Sequence, residues 1–177
     1  MAERLPNDLS RADGAEPSAR TDELLCEEDR RYRVALDRAT RLLAQREHSV
    51  RELTAKLTAK GVDAATAGLV VDDLRGRGLQ SDARFAEVFV HSRVGRGLGP
   101  IRIRQELSRR GIDEDVADEV LTLSADYWLE LAENARRKKF GDAAPSGRDH
   151  WNRQARFLAQ RGFPSDIIYR VLGHAVD

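Results

Sequence analysis

Three times along this chain the same short run recurs: Leu57 leading to Lys60-Gly61-Val62-Asp63, Leu107 leading to Arg110-Gly111-Ile112-Asp113, and Leu158 leading to Arg161-Gly162-Phe163-Pro164-Ser165-Asp166. The glycines stand 50 and then 51 residues apart, and nine residues after each comes a valine: Val70, Val120 and Val171. A fixed period of this size marks one supersecondary unit used repeatedly. A glycine after an apolar helical run is a helix stop, because it enters the left-handed conformation without steric cost. Asp63 and Asp113 then stand where the next helix needs an N-cap, and Ser165 fills that position in the third copy. Such a chain is expected to work by length and surface rather than through one catalytic pocket.

The apolar spacing fills in the rest of each copy. Tyr32, Ala35, Leu36, Ala39, Leu42 and Leu43 recur at helical intervals and open the first; Val50, Leu53 and Leu57 line its second helix; Ala67, Val70, Val71 and Leu74 line its third. In the second copy, which starts at Ser81-Asp82, Phe85, Val88 and Phe89 are the predicted inner face of the first helix. A turn follows at Gly95-Arg96-Gly97-Leu98-Gly99, and Pro100 suits the first turn of the next helix, where its missing N–H has no partner to lose. Ile103 and Leu107 face inward there, with Val116, Val120 and Leu121 in the third helix. In the third copy the inward positions are Tyr127, Leu131 and Ala135, then Trp151, Ala155 and Leu158, then Ile168, Val171 and Leu172, with a connection over 141–147. No convincing strand is found. The expected fold is all-α: three tandem three-helix repeats, each with a thin core, in an elongated molecule with room to curve. The expected divisions are a disordered acidic tail over 1–28 and repeats over 29–79, 80–122 and 123–177.

Charge follows the same period. The chain has 30 basic and 30 acidic residues, yet residues 32–60 and 81–111 each carry seven bases against three acids, and residues 136–161 carry eight against two. Residues 1–31 carry nine acids against five bases. Periodic positive patches on a neutral chain point to repeated contact with an anionic partner. No apolar run reaches the roughly 18 residues of a membrane span, the N-terminus lacks a signal-peptide apolar segment, and the single Cys26 allows no intramolecular disulfide. A reducing, cytoplasmic setting is expected.

The middle copy reads Arg84-Phe85-Ala86-Glu87-Val88-Phe89-Val90-His91-Ser92-Arg93, then Gly97-Leu98-Gly99-Pro100-Ile101-Arg102-Ile103-Arg104-Gln105-Glu106-Leu107, then Arg110-Gly111-Ile112. This block closely resembles the signature of the RecX regulatory family. Arg51-Glu52-Leu53 through Gly61-Val62-Asp63, and Gln160-Arg161-Gly162-Phe163, resemble it more weakly, and the resemblance spans about residues 33–173. It implies a monomeric, non-enzymatic, cytoplasmic protein that lies in the groove of the RecA recombinase filament. There it would restrain ATP hydrolysis and strand exchange, and so affect DNA repair, recombination and the SOS response, with a secondary contact to single- or double-stranded DNA.

Readings toward catalysis are weaker than their plain alternatives. His48, His91, His150 and His174 have no partners at metal-ligand spacing and are expected at the surface. The acids at 113–119 suit the positive first turn of a helix. The glycine run at 95–99 follows a helix, not the strand that a phosphate-cradling loop needs, so a turn is expected, with Arg96 or the Pro100 helix start left as phosphate contacts. No cofactor or metal is implied. The arginines of the middle copy are the best binding candidates, because guanidinium groups suit phosphate and carboxylate alike. Ile103 and Leu107 point inward, which puts Arg102 and Arg109 on a shared outer face. Candidate contacts with RecA or DNA are thus Arg93, Arg96, Arg102, Arg104 and Arg109, with Lys56, Lys60, Arg153 and Arg156 in the flanking copies. The rival reading is a helix-turn-helix-like protein acting directly on DNA. Against it, residues 62–74, where a recognition helix would fall, carry three acids and no base, and phosphates repel such a helix. A structural scaffold is the third class.

Overall fold

The computed structural model describes residues 19–173, with side chains from residue 27 onward. Among these residues there are nine helices and no strand: α1 Ala19–Gln45, α2 Val50–Thr58, α3 Ala64–Gly76, α4 Asp82–Val94, α5 Pro100–Arg109, α6 Glu114–Leu121, α7 Ala125–Phe140, α8 Arg148–Arg161 and α9 Ser165–Leu172. They pack in consecutive trios, with the third helix of each trio lying against the other two. None is long and apolar enough to cross a membrane.

The recurring glycines close the second helices in one geometry. Gly61, Gly111 and Gly162 have φ of +83°, +77° and +88°. The N–H of the following residue reaches back to the carbonyl of the recurring leucine: Val62 to Leu57 at 3.1 Å, Ile112 to Leu107 at 3.2 Å and Phe163 to Leu158 at 3.2 Å. Each glycine N–H donates to the residue after that leucine, at 3.0 Å from Thr58, 2.9 Å from Ser108 and 2.9 Å from Ala159. This pair of bonds satisfies carbonyls a helix end would otherwise leave orphaned. The leucine side chains Leu57, Leu107 and Leu158 are fully buried. Asp63 accepts from the Thr66 N–H as the expected cap, whereas Asp113 occupies its cap position without a side-chain bond. Ser165 does not cap α9: it is the first helical residue, and Pro164 holds the cap position.

Several inward faces lie one residue away from their expected positions. In α4 Val88 is 58% exposed, while Phe85, Ala86, Phe89 and Val90 are buried. That segment is apolar nearly all round, so its pattern does not choose a face; packing against α5 and α6 does. In α7 the buried positions are Trp128, Ala132 and Arg136, and Tyr127 is exposed. Arg136 is buried because its Nη1 donates to the Ala143 carbonyl at 2.9 Å and Gln154 Oε1 at 3.3 Å, tying down the 141–147 connection. Of the segment expected as an irregular tail, residues 1–18 lie outside the described residues, and residues 19–28 form the opening turns of α1. Ion pairs from Glu27 to Arg30 and Arg31, one turn on, lie where that polar stretch runs into the rest of α1.

The core is divided in two rather than three. Ala35, Ala39, Leu53, Leu57, Ala67, Val70, Val71 and Leu74 form one cluster within α1–α3. From Phe85 to Leu172 the buried side chains of α4–α9 form a single continuous cluster. The second and third trios are therefore welded by apolar packing, while the first is joined to them chiefly through polar groups.

The weld has a backbone component. The N–H groups of Gly99 and Ile101, at the start of α5, donate to the carbonyls of Arg161 and Gly162, at the end of α8, at 2.8 and 3.1 Å. The approach is so close that a β-carbon on Gly99 would stand within 3.0 Å of the Gly162 carbonyl, and one on Gly162 within 3.0 Å of the Arg102 backbone. Gly99 has φ of −87°, which any residue adopts. Gly99→Ala is therefore expected to destabilise the chain purely through this close approach. Gly162→Ala adds the left-handed cost of roughly 1–2 kcal/mol. Gly61→Ala, with open space around it, incurs that backbone cost alone and is the mildest of the three. Chemical denaturation of the three variants checks this order. Leu107→Ala is expected to cost about 2–5 kcal/mol by the same measurement.

Candidate interaction face on the second helices

The second helices of the three trios follow one another end to end. The start of α5 sits on the end of α8, as described, and the start of α2 sits on the end of α5. There Ser49, the cap of α2, donates its hydroxyl to the Arg110 carbonyl at 2.8 Å, and Gly111 lies against the Arg51 side chain. Arg110 and Arg161 occupy equivalent positions in the two joints, so the same terminal carbonyl receives the next helix start in both. Each junction sets the positive end of one helix dipole against the negative end of another.

Polar groups complete the α2–α5 junction. His48 and Ser49 are buried, and so is Gln80. The Gln80 amide donates to the His48 carbonyl at 3.1 Å and to Asp82 Oδ1 at 2.9 Å, and the same Oδ1 accepts from the Val50 N–H at 2.9 Å. Glu52 receives Arg46 at 3.1 Å and Arg110 at 3.3 Å. His48 is thus a correction to the expected surface position: its Nδ1 lies 3.3 Å from Glu52 Oε2, inside the junction. Burial first, then the nearby Arg46, depress its pKa below the usual imidazole value, against the opposing pull of Glu52. His91 and His150 are exposed, and His174 lies outside the described residues.

The nine candidate cations separate into tied and free. Arg93 is mostly buried; its Nε donates to Glu106 at 2.7 Å and its guanidinium lies 4.2 Å from the Phe89 ring centre. Arg110 covers the same ring at 4.4 Å. Burial raises the pKa of Glu106, but the bond and charge of Arg93, helped by Arg102 and Arg110, outweigh it and hold the carboxyl below its ordinary value. Arg93 is consequently a structural group, not a surface contact. Arg102 is exposed yet donates to the Gln160 carbonyl at 3.0 Å, and Arg104 pairs with Asp118. Arg109 shares a groove with Arg102, Gln105 and the end of α8, and makes no ion pair among the described residues. Lys56, Lys60, Arg96, Arg153 and Arg156 are exposed. The Gly99 and Ile101 N–H groups at the start of the Pro100 helix already donate to the Arg161 and Gly162 carbonyls, so neither is left for a phosphate.

What results is a row of three second helices with apolar residues turned in. Free cations mark the outer side of each: Lys56 and Lys60 on α2 and its end, Arg109 on α5, Arg153 and Arg156 on α8. The sequence did not point to the junction residues Ser49, Gln80 and Asp82; their only signal was a cap-type serine and a polar pair between two apolar helices.

Comparison with known proteins finds three family models in order along the chain: the RecX first three-helix domain over residues 35–74, the second over 81–121 and the third over 125–172. The chain is 48% identical over 132 residues to a regulatory protein RecX of Halorhodospira halophila, a match covering 75% of this chain and 82% of that one. It is 38% identical over 147 residues to one from Stenotrophomonas maltophilia, covering 83% and 90%. In fold it resembles the crystal structure of RecX from Lactobacillus salivarius, with a TM-score of 0.71 at 22% identity over 81% of this chain and 95% of that one.

The junction is expected to make stability depend on pH. A buried imidazole with a depressed pKa is neutral in the fold, while the unfolded chain binds a proton near pH 6.5. The associated stability is fully present above about pH 6.5 and falls as pH drops toward the depressed folded value. The melting temperature of the wild-type chain is therefore expected to fall between about pH 7 and 5.5, and His48→Gln is expected to flatten that slope. A slope equal in the two proteins would remove His48 as its source.

Proposed function

Because the chain belongs to the RecX family of regulatory proteins, we propose that it binds the RecA recombinase filament and restrains its ATP hydrolysis and strand exchange, with no catalysis of its own. The observation that carries this reading is the end-to-end row of α2, α5 and α8, with free cations on the outer side of every member. A filament presents the same surface at regular intervals, and a chain with three similar, linked faces suits such a partner. Once one face is bound, the next binds at a high effective concentration, so weak contacts add to a firm hold. The contacts in this reading are Lys56, Lys60, Arg109, Arg153 and Arg156, each free to meet acidic side chains of the partner. Arg102 and Arg104 flank them from their own ion pairs. The protein acts as a monomer in the cytoplasm, and through RecA it affects DNA repair and recombination.

Direct action on DNA in the manner of a helix-turn-helix protein has less support. The third helices that would enter a groove are acidic on α6, with Glu114, Asp115, Asp118 and Glu119, and phosphates repel them.

The test is RecA-dependent ATP hydrolysis on single-stranded DNA. The purified chain is expected to slow it at sub-stoichiometric to stoichiometric ratios. Lys56→Glu, Arg109→Glu and Arg153→Glu are each expected to weaken inhibition a few-fold, and the triple variant by roughly a hundredfold or more as the linkage between faces is lost. All three side chains are exposed, so the circular dichroism spectrum should not change. A triple variant that inhibits like wild type excludes this face. If the wild-type chain leaves RecA unaffected but holds duplex DNA at ~0.15 M salt, the DNA-binding reading replaces this one.

A further inference from the structure

A second cationic feature lies away from that face, where the turn between α4 and α5 meets α7. It is a cleft of about 390 Å³. Its floor is apolar, formed by Val94, Leu131 and Ala135, and its walls carry Arg96, Lys138, Lys139 and Arg161. No carboxylate among the described residues lines it. Four other clefts of comparable size each hold at least one: Glu87 and Glu119 in one, Asp63, Glu114 and Glu106 in the others. In each of the other clefts lined by arginine, a carboxylate stands on the wall beside it. Here four converge without a counter-charge, an arrangement that like-charge repulsion disfavours until an anion enters.

The cations are also arranged for use. Arg161 is held in place: its Nη1 donates to the Arg96 carbonyl at 2.7 Å and the Gly97 carbonyl at 3.1 Å, and its guanidinium lies 4.7 Å from the Phe157 ring centre. Those bonds use Nη1 alone, which leaves its Nη2 and Nε donors for a ligand. Lys139 sits 4.4 Å from the same ring. Arg96 and Lys138 are exposed and have no ion-pair partner among the described residues. Two positioned cations and two free ones, over a small apolar floor, match an anion with several oxygens spread around one centre. Guanidinium donors in a fixed fork favour phosphate geometry in particular.

We propose that this cleft is a phosphate-binding site, taking a phosphate ester from a nucleic-acid strand or from a free nucleotide. The two walls come from different trios, the α4–α5 turn from the second and α7 with Arg161 from the third. A bound phosphate therefore bridges them.

The site is tested without any recombinase present, so its failure and that of the filament reading are separate. The full chain is titrated in about 0.1 M salt with sodium pyrophosphate, with ATP, and with a fluorescein-labelled oligothymidylate. Binding of at least one is expected, and the double variant Arg96→Ala, Lys138→Ala should weaken it tenfold or more, roughly the effect of losing a charge-assisted bond. Lys138→Arg should retain it, and Arg75→Ala, an exposed cation on α3, should leave it unchanged. Pyrophosphate or ATP binding without the strand identifies a free nucleotide as the source; binding of the strand alone identifies the backbone. The proposal is overturned if none of the three binds below millimolar concentration, if the double variant binds as tightly as wild type, or if an oligoglutamate peptide competes as well as pyrophosphate.

Discussion

The molecule depends on one kind of contact: the end of a second helix receiving the start of another. At a helix end, carbonyls point outward with no partner in their own helix, and at a helix start N–H groups do the same. Setting one against the other satisfies both without side chains and aligns the two dipoles. The Gly99 and Ile101 N–H groups on the Arg161 and Gly162 carbonyls are this contact made by backbone alone. It requires glycine on both sides, because the surfaces meet closer than a β-carbon permits. At the other junction Ser49 replaces the backbone donor with a hydroxyl, and Gly111 has only the Arg51 side chain against it.

That difference divides the molecule mechanically. The second and third trios share apolar core as well as backbone bonds. The first trio has a core of its own and meets its neighbour through His48, Ser49, Gln80, Asp82 and the ion pairs around Glu52. A junction built from polar side chains buries less apolar surface than one built from core, and such junctions open at lower free energy. It also holds the buried His48, whose pKa burial depresses.

The charges show how little a count of arginines says about binding. Arg93, Arg110 and Glu106 are folded together around Phe89, and Arg161 braces the turn before α5. These arginines lie in the same basic stretches as Arg96, Arg109, Arg153 and Lys138, which remain exposed. In sequence the two sorts are indistinguishable, because pairing with Glu106 is a relation between α4 and α5, and the bond of Arg161 to the Arg96 carbonyl a relation between trios, neither of them a property of the residue.

The sequence by itself determined the repeat, the helix stops and the inward faces of α2 and α5, while in α8 Gln154 and Phe157 are buried beside the expected Leu158 and Trp151 and Ala155 are half-buried. A positive-φ glycine, a buried leucine four residues earlier and a cap position two residues later are local requirements of a chain reversing between helices, so they are written locally at Leu57-Gly61, Leu107-Gly111 and Leu158-Gly162. Where a helix is apolar on most sides, as in α4, local pattern could not choose the buried face, and packing turned Val88 outward. The opening turns of α1 carry no apolar period in the sequence, so local pattern did not mark them as helix. Only the tertiary structure decided that His48 is buried, that two trios share one core, and that the Gly99 and Ile101 N–H groups at the start of α5 are already bonded. Each of these depends on what arrives from tens of residues away, 32 for Gln80 on His48 and 61 for Arg110 on Ser49, and a one-dimensional pattern does not record the approach of such partners.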